Sequence, residues 1–324
     1  RSSAEIDYSM RQLAPISSLE NIDAAARLVL DKREGQILVI GDFDVDGATS
    51  TALVLRCLRA FGFRNVDYLV PNRFDYGYGL TPEIVDVAAQ SSPDLLITVD
   101  NGVSSLDGVA RANELGVPVL ITDHHLPGSE LPDAAVILNP NLPGSRFPSR
   151  NLAGVGVAFY LMARIGRMLQ DSGLADAARV PSRYLDLVAL GTVADVVPLD
   201  HNNRILVHQG LMRIRAGQTV VGIRALLEQS GRTPDRTVGS DLGFAVGPRI
   251  NAAGRLEDIS IGIECLLTDD IDTAADYARM LDQINAERRD IEASMREQAF
   301  RYVDNLGQRR WPECVSLYDN NWHQ

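Results

Sequence analysis

An α/β fold, with an open, mostly parallel sheet flanked by helices, is predicted for the first half of this 324-residue chain. A helical segment and a long connecting helix are predicted to follow it. Three observations lead there. Short, unbroken apolar runs alternate with helix-like stretches between residues 36 and 140, the pattern of strands buried on both faces. Asp and His gather directly behind several of these runs, where an open parallel sheet receives its ligands. Beyond residue 151 the apolar segments take helical length and spacing.

The elements follow in order. Residues 1–35 read as an N-terminal arm. Strands are predicted at 37–40, 66–70, 95–99, 117–122 and 135–138, with helices at 48–61, 82–90 and 106–115 between them. Thr81 before Pro82 reads as an N-cap and first helical position, Ser104 with Asp107 as a capping box, and Gly116 as a C-cap. This α/β unit is taken as 36–200. Residues 201–271 complete it with further helices, at 204–215 and 223–229. The stretch 272–306 is long and polar, with Ala275, Ala278, Leu281, Ile284, Ile291, Met295 and Phe300 as its apolar stripe. It would run roughly 50 Å as a helix. Residues 307–324 read as the start of a second domain, because CVSLYD at 314–319 begins like a strand.

Composition sets limits. The net charge is −12 and the pI near 4.9, which argues against nonspecific binding to nucleic acid or anionic membrane but leaves room for a local cationic groove. Lys32 is the only lysine, so nearly all positive charge is arginine, which suits bidentate phosphate contacts. A composition bias accounts for most of those arginines equally well. Cys57, Cys265 and Cys314 lie far apart without a CxxC, which argues against a disulfide framework or zinc site and for the cytoplasm. No apolar run is long enough to span a membrane. Residues 1–10 lack both a signal-peptide core and an initiator Met, and so read as the start of a piece of a longer chain.

The chemistry lies behind the strands. After 37–40 comes GDFDVDG, with Asp42, Asp44 and Asp46. After 95–99 come Asp100, Asn101 and Gly102. After 117–122 come Asp123, His124 and His125. A fourth cluster, GTVADVVPL at 191–199, sets Asp195 among apolar residues; alone it could be a helix cap, but beside the other three it reads as a ligand. Like charges this close raise one another's pKa, so the crowding needs compensation. An EF-hand opens with the same DxDxDG but requires Glu at its twelfth position, which here is Leu53. An aspartate-nucleophile phosphatase wants a downstream cation, commonly Lys, and Lys32 lies upstream, although an arginine could substitute. Two divalent cations about 3.5–4 Å apart would neutralise the acids, activate water and hold a phosphoryl group. Oxygen donors with one imidazole favour Mn²⁺ or Mg²⁺ over Zn²⁺. If the backbone stays extended, Asp42, Asp44 and Asp46 point one way, and Gly47 turns the chain into a helix near Ala48.

Taken together, DxDxDG, VDNG, TDHH and GTVADVVPL resemble the DHH phosphoesterase superfamily. LVPNRFDYGYGL (69–80), LAGVGVAFYLM (152–162) and GFAVGPRINAAGRLED (243–258) narrow the likeness to the RecJ-type single-strand-specific exonucleases. The resemblance runs from about residue 36 to the end. It implies 5′→3′ hydrolysis of single-stranded DNA to mononucleotides with two Mn²⁺ or Mg²⁺ ions, a role in DNA repair and recombination, and partners such as a single-strand-binding protein and a helicase. It implies Asp44, Asp46, Asp100, His124 and Asp195 as metal ligands, with Asp100 the bridge. His125 would face the substrate phosphate, with Asp42 and Asp123 orienting the ligands. More distant relatives carry a histidine four residues before the first ligand Asp, where this chain has Ile40. The family continues into a second domain, so this piece is expected to hold the metal site with half the DNA cleft and to be weak or inactive as a processive exonuclease.

Arg73 and Tyr76 are predicted to contact DNA from the loop after the second strand, with pairing to Asp75 and loop packing as the competing readings. Tyr78 could stack a base. Arg249, Asn251 and Arg255 lie in GPRINAAGR, which shows no helical periodicity and reads as a loop; the resemblance, rather than the pattern, favours a phosphate-contacting role over a solvated loop. Gly154 and Gly156 could cradle phosphate, but close helix packing explains them better. His201 and His208 read as surface residues on or near a helix, and His323 has no assignable role. Within the superfamily, a pyrophosphatase or small-oligonucleotide phosphodiesterase remains open; outside it, a nucleic-acid-binding module without activity.

Overall fold

A computed structural model describes residues 6–70, 77–305, 314–320 and 322; Arg73, Tyr76 and His323 lie outside them. The chain runs α1 (Ile22–Asp31), β1 (Ile37–Ile40), α2 (Val45–Ala60), β2 (Val66–Leu69), α3 (Pro82–Ala89), β3 (Leu95–Val99), α4 (Leu106–Glu114), β4 (Val119–Thr122), β5 (Val136–Leu138) and α5 (Gly154–Asp171). Then come α6 (Leu185–Ala194), α7 (His201–Arg215), α8 (Val221–Gln229), a π-helical turn (Leu242–Val246), α9 (Gly247–Leu256), α10 (Ser260–Leu267) and α11 (Ile271–Asn305).

The five strands form one parallel sheet in the order β2-β1-β3-β4-β5. From β1 the chain moves outward to β2, then crosses to β3 on the other side. The strand order therefore reverses between β1 and β3, and the crevice beyond their carboxyl ends is the natural ligand position. The two-residue period of a strand sorts the apolar side chains. Leu38, Ile40, Leu96, Val119 and Ile121 pack under α3 and α4 with Ile84, Val85, Val109 and Ala112. Ile37, Val39, Leu95, Ile97 and Leu120 join the larger core with α1, α2, α5 and α6. Ile40 is fully buried in the smaller core, so the site cannot draw a ligand from that position.

Capping explains several boundaries. Thr81 Oγ1 accepts the Ile84 amide with Pro82 at the first helical position, and Gly116 ends α4 with φ +72°, as the sequence predicts. The predicted Ser104–Asp107 capping box is absent. Helix α4 begins after Ser105 instead, whose hydroxyl accepts the Leu80 amide at 3.0 Å and so ties down the preceding loop.

Three further expectations are corrected. Helix α2 starts at Val45, not near Ala48, because Asp44 serves as its N-cap; Gly47 lies inside the helix. GPRINAAGR is helical: it forms α9, whose buried residues are Gly247, Ile250, Ala252, Ala253 and Gly254, all but Ile250 too small to give a hydrophobic signal. Residues 314–319 form no strand and are largely exposed.

Helix α11 has two halves. Ala274, Ala278, Leu281 and Ile284 are buried where it packs on α8, α9 and α10. Farther on, Ile291, Phe300 and Tyr302 are exposed. No helix among the described residues is long and apolar enough to cross a membrane.

Candidate metal centre

The turn after β1 delivers the first carboxylates. Asp44 caps α2, its Oδ1 accepting the amides of Asp46 at 2.8 Å and Gly47 at 3.0 Å. The helix thus starts between the acids, so the extended alignment of three aspartates does not occur; Asp46 sits in the first turn of α2. Its carboxylate accepts the Gly154 amide at 2.6 Å and the Val155 amide at 3.0 Å. Those amides open α5 and have no acceptor inside their own helix, and the helix N-terminus favours negative charge. Asp46 is therefore held at 1% exposure by a second helix 108 residues along the chain.

Strand β3 delivers Asp100 in the left-handed region, φ +62°, a conformation Asp tolerates better than most residues. Asn101 Nδ2 donates to the carbonyls of Ile40 and Val99, tying the ends of β1 and β3 together. Asp100 lies hard against the start of α5: a Cβ on Gly154 would come within 2.6 Å of Asp100 Oδ1. The glycine is there for close approach rather than to cradle phosphate.

Strand β4 delivers Asp123, His124 and His125. Asp123 accepts the amides of Val103, His124 and His125 and pairs with His125 Nδ1 at 2.8 Å. Burial pushes its carboxyl up, but the His125 contacts and the Val103 amide outweigh that and hold it below the usual carboxylate range. The same pairing raises the pKa of His125, which stands half exposed at the lip. Asn139 and Asn141, just after β5, donate to the carbonyls of His125 and His124 at 2.9 and 2.6 Å. Asp195 caps the C-terminal end of α6.

These groups converge. His124 Nε2 lies 3.1 Å from Asp100 Oδ1, 3.5 Å from Asp195 Oδ2 and 4.0 Å from Asp46 Oδ2. Candidate ligand atoms of Asp42, Asp44 and Asp100 lie within 4.8 Å of one another, as do those of Asp46, His124 and Asp195, and of Asp100, His124 and His125. Asp100 thus belongs to two adjacent groups.

The electrostatics call for positive charge. Burial, with Asp44 beside it, pushes Asp42 up to about 7, and burial with the same neighbour pushes Asp195 up to about 7. Burial and mutual repulsion raise Asp46 and Asp100 well above the carboxylate range. His124 is pushed down to about 4 by burial and by His125, so near neutral pH its ring is uncharged. The ring hydrogen-bonds the Leu152 backbone, whereas Nε2, Asp100 Oδ1 and Asp195 Oδ2 are buried with no hydrogen-bond partner. Buried acceptors facing one another are costly unless something positive lies between them. Carboxylates with one neutral imidazole suit a hard divalent cation, so the residues fit the implied metal pair.

The predicted residues of GPRINAAGR lie on α9, and of them Asn251 touches the turn that carries Asp44 and Asp46. Arg249 pairs with Asp282 of α11 at 2.7 Å, Asn251 Oδ1 accepts the Val45 amide, and Arg255 is exposed on α9. As none lies in a loop, the premise for their grouping as a substrate loop fails. Tyr78 reaches the centre, its hydroxyl 3.5 Å from His125 Nε2 and its ring edge-on to Phe43. His201 and His208 pack on the ring of Tyr8 in the arm. Asn139 and Asn141 were not predicted; the signal was an NPN directly behind the last strand.

Comparison with known proteins agrees with this geometry. Residues 36–192 match the DHH family, N-terminal domain. The single-stranded-DNA-specific exonuclease RecJ of Salmonella typhimurium is 52% identical over 332 residues, covering 100% of this chain. The chain spans 58% of that relative's length. A crystal structure of exonuclease RecJ bound to manganese is 37% identical with a TM-score of 0.78, covering 86% of this chain and 69% of that one. RecJ from Thermus thermophilus in complex with Mn²⁺ is 34% identical with a TM-score of 0.77, covering 91% of this chain and 41% of that one. The chain belongs to the DHH family and, within it, to the RecJ group.

Proposed function

We propose that this chain carries the hydrolytic centre of a 5′→3′ exonuclease that cuts single-stranded DNA to mononucleotides, using two Mn²⁺ or Mg²⁺ ions. One observation supports it most: buried His124 Nε2, Asp100 Oδ1 and Asp195 Oδ2 face one another without partners at the switch point of the sheet. Asp44, Asp46, Asp100, His124 and Asp195 would hold the ions, with Asp100 between them. Bound there, the cations supply neutralising charge, Lewis-acid polarisation of the phosphodiester and activation of water.

The chain's own residues do the rest. Asp123 holds His125 by Nδ1 and raises its pKa, which keeps a proton donor at the lip to stabilise charge developing on phosphate. Asp123 also accepts the His124 amide, and the Asn141 side chain fixes the His124 carbonyl, so the imidazole is aimed before any ligand arrives. Tyr78, half exposed beside His125, offers a ring to a splayed base. Arg73, Tyr76 and Arg255 are further DNA contacts in this reading. DNA repair and recombination in the cytoplasm, with a single-strand-binding protein and a helicase as partners, fit that activity.

The test is a 5′-phosphorylated single-stranded oligonucleotide labelled at its 3′ end, incubated with Mn²⁺ beside an identical duplex. Progressive shortening of the single strand alone is expected. Cleavage of pyrophosphate or dinucleotides, with the long strand untouched, would place the chain elsewhere in the DHH family.

A further inference from the structure

We infer that Asn251 is a positioning residue of the metal centre, fixed by the Arg249–Asp282 ion pair, rather than a contact to substrate. This rests on reading the centre as a cation site and is independent of which phosphodiester is cut.

Three features carry it. First, Asn251 Oδ1 accepts the Val45 amide at 3.0 Å. Val45 lies between Asp44 and Asp46 and opens α2, so its N–H is among those with no acceptor inside the helix. Asp44 takes the next two amides. Asn251 and Asp44 together therefore fix the whole first turn on which Asp46 stands. Second, α9 touches this turn backbone to backbone: a Cβ on Gly254 would run into the Phe43 carbonyl oxygen. The segment from Asp42 to Asp44 has no room to swing on that side.

Third, α9 is itself fastened at its far face. Arg249 reaches Asp282 of α11 through Nε at 2.9 Å and Nη2 at 2.7 Å, and its Nη1 donates to the Ala245 carbonyl at 2.6 Å. The pair is largely withdrawn from water, with Arg249 14% and Asp282 31% exposed, so it is screened less than a surface pair. Residues two apart on a helix face different ways. Arg249 accordingly faces α11 while Asn251 faces the ligand turn, and α9 works as a strut between the long helix and the metal centre.

Mn²⁺ titration calorimetry and hydrogen exchange on the whole chain test this. Asn251→Ala is expected to weaken Mn²⁺ binding on the order of tenfold, as for other groups that orient ligands. In the metal-free protein it is expected to speed exchange of the Val45 amide. Asn251→Asp keeps an acceptor oxygen at the same reach and is expected to restore protection at Val45. Asp282→Asn, remote from the centre, is expected to weaken Mn²⁺ binding to a smaller extent. Wild-type Mn²⁺ affinity and Val45 exchange in Asn251→Ala, with a raised KM for single strands, would overturn the positioning role and restore the substrate contact. Wild-type protein that takes up no Mn²⁺ would instead overturn the cation reading.

Discussion

His124 Nε2 faces Asp100 Oδ1 across 3.1 Å, where burial keeps the imidazole uncharged and, with the neighbouring acids, raises the Asp100 carboxyl. The metal-free chain therefore carries crowded, buried carboxyls whose ionisation is disfavoured until positive charge arrives. Added Mn²⁺ should raise the melting temperature relative to protein in EDTA. At a concentration about 100 times Kd, linkage gives about 2.7 kcal/mol per site, or several degrees for a chain of this size. Scanning calorimetry checks it, and equal melting temperatures would contradict the geometry.

Asp100→Asn should separate stability from activity. It removes one of the crowded carboxyls whose ionisation burial and the neighbouring acids disfavour and keeps a side chain that accepts φ > 0. The metal-free variant should melt at or above wild type, and with Mn²⁺ added it should cleave about a hundred- to a thousandfold more slowly, as for removal of a group that stabilises transition-state charge. Cleavage at the wild-type rate would remove Asp100 from its proposed place between the ions.

Gly154→Ala should harm both properties. The new Cβ would press on Asp100 at 2.6 Å and push α5 off Asp46. Overpacking of this kind costs about 1–3 kcal/mol, and the amides that hold Asp46 would shift with the helix. Thermal melts together with Mn²⁺ titration would show a joint loss; tight Mn²⁺ binding in a stable variant would refute it.

Arg56 is a structural counterpart. Its guanidinium donates to the carbonyls of Leu266 and Thr268 and to Asp269, closing the C-terminal end of α10, and it lies over the Tyr184 ring. A lysine cannot reproduce this fork. Arg56→Lys should cost about 1–3 kcal/mol in urea unfolding, the penalty of unpaired buried carbonyls, while Mn²⁺ affinity stays unchanged.

Asp186 gives a pH signature away from the centre. It is fully buried, accepting the Thr219 hydroxyl and the Val220 amide, with Oδ1 unpartnered, and burial raises its pKa. The folded state thus binds this proton more tightly than the unfolded state. The contribution is fully present below the unfolded value near 3.8 and is lost as pH rises through the folded value. Asp186→Asn should therefore gain stability relative to wild type as the pH rises above that unfolded value. A difference that stays constant as the pH rises would refute the assignment.

The strands and the ligand clusters were legible because charge interrupts apolar runs abruptly: Asp42, Asp100 and Asp123 each follow residues that are fully or almost fully buried. The start of α2 was misplaced because DxDxDG reads as extended, whereas Asp44 turns its own carboxylate into a cap. Helix α9 was missed because its packing face is glycine and alanine apart from Ile250, so close backbone approach replaces a hydrophobic stripe. Asn139 and Asn141 reach the carbonyls of His125 and His124, just past another strand, and the NPN by itself does not announce those partners.

Helices α2 and α5 both aim their amino ends at the carboxylates, α2 through Asp44 and α5 through Asp46. Each end carries roughly half a positive charge, so the polypeptide brings its own partial counter-ions. Part of the repulsion among the acids is thus offset by backbone dipoles that belong to the fold itself.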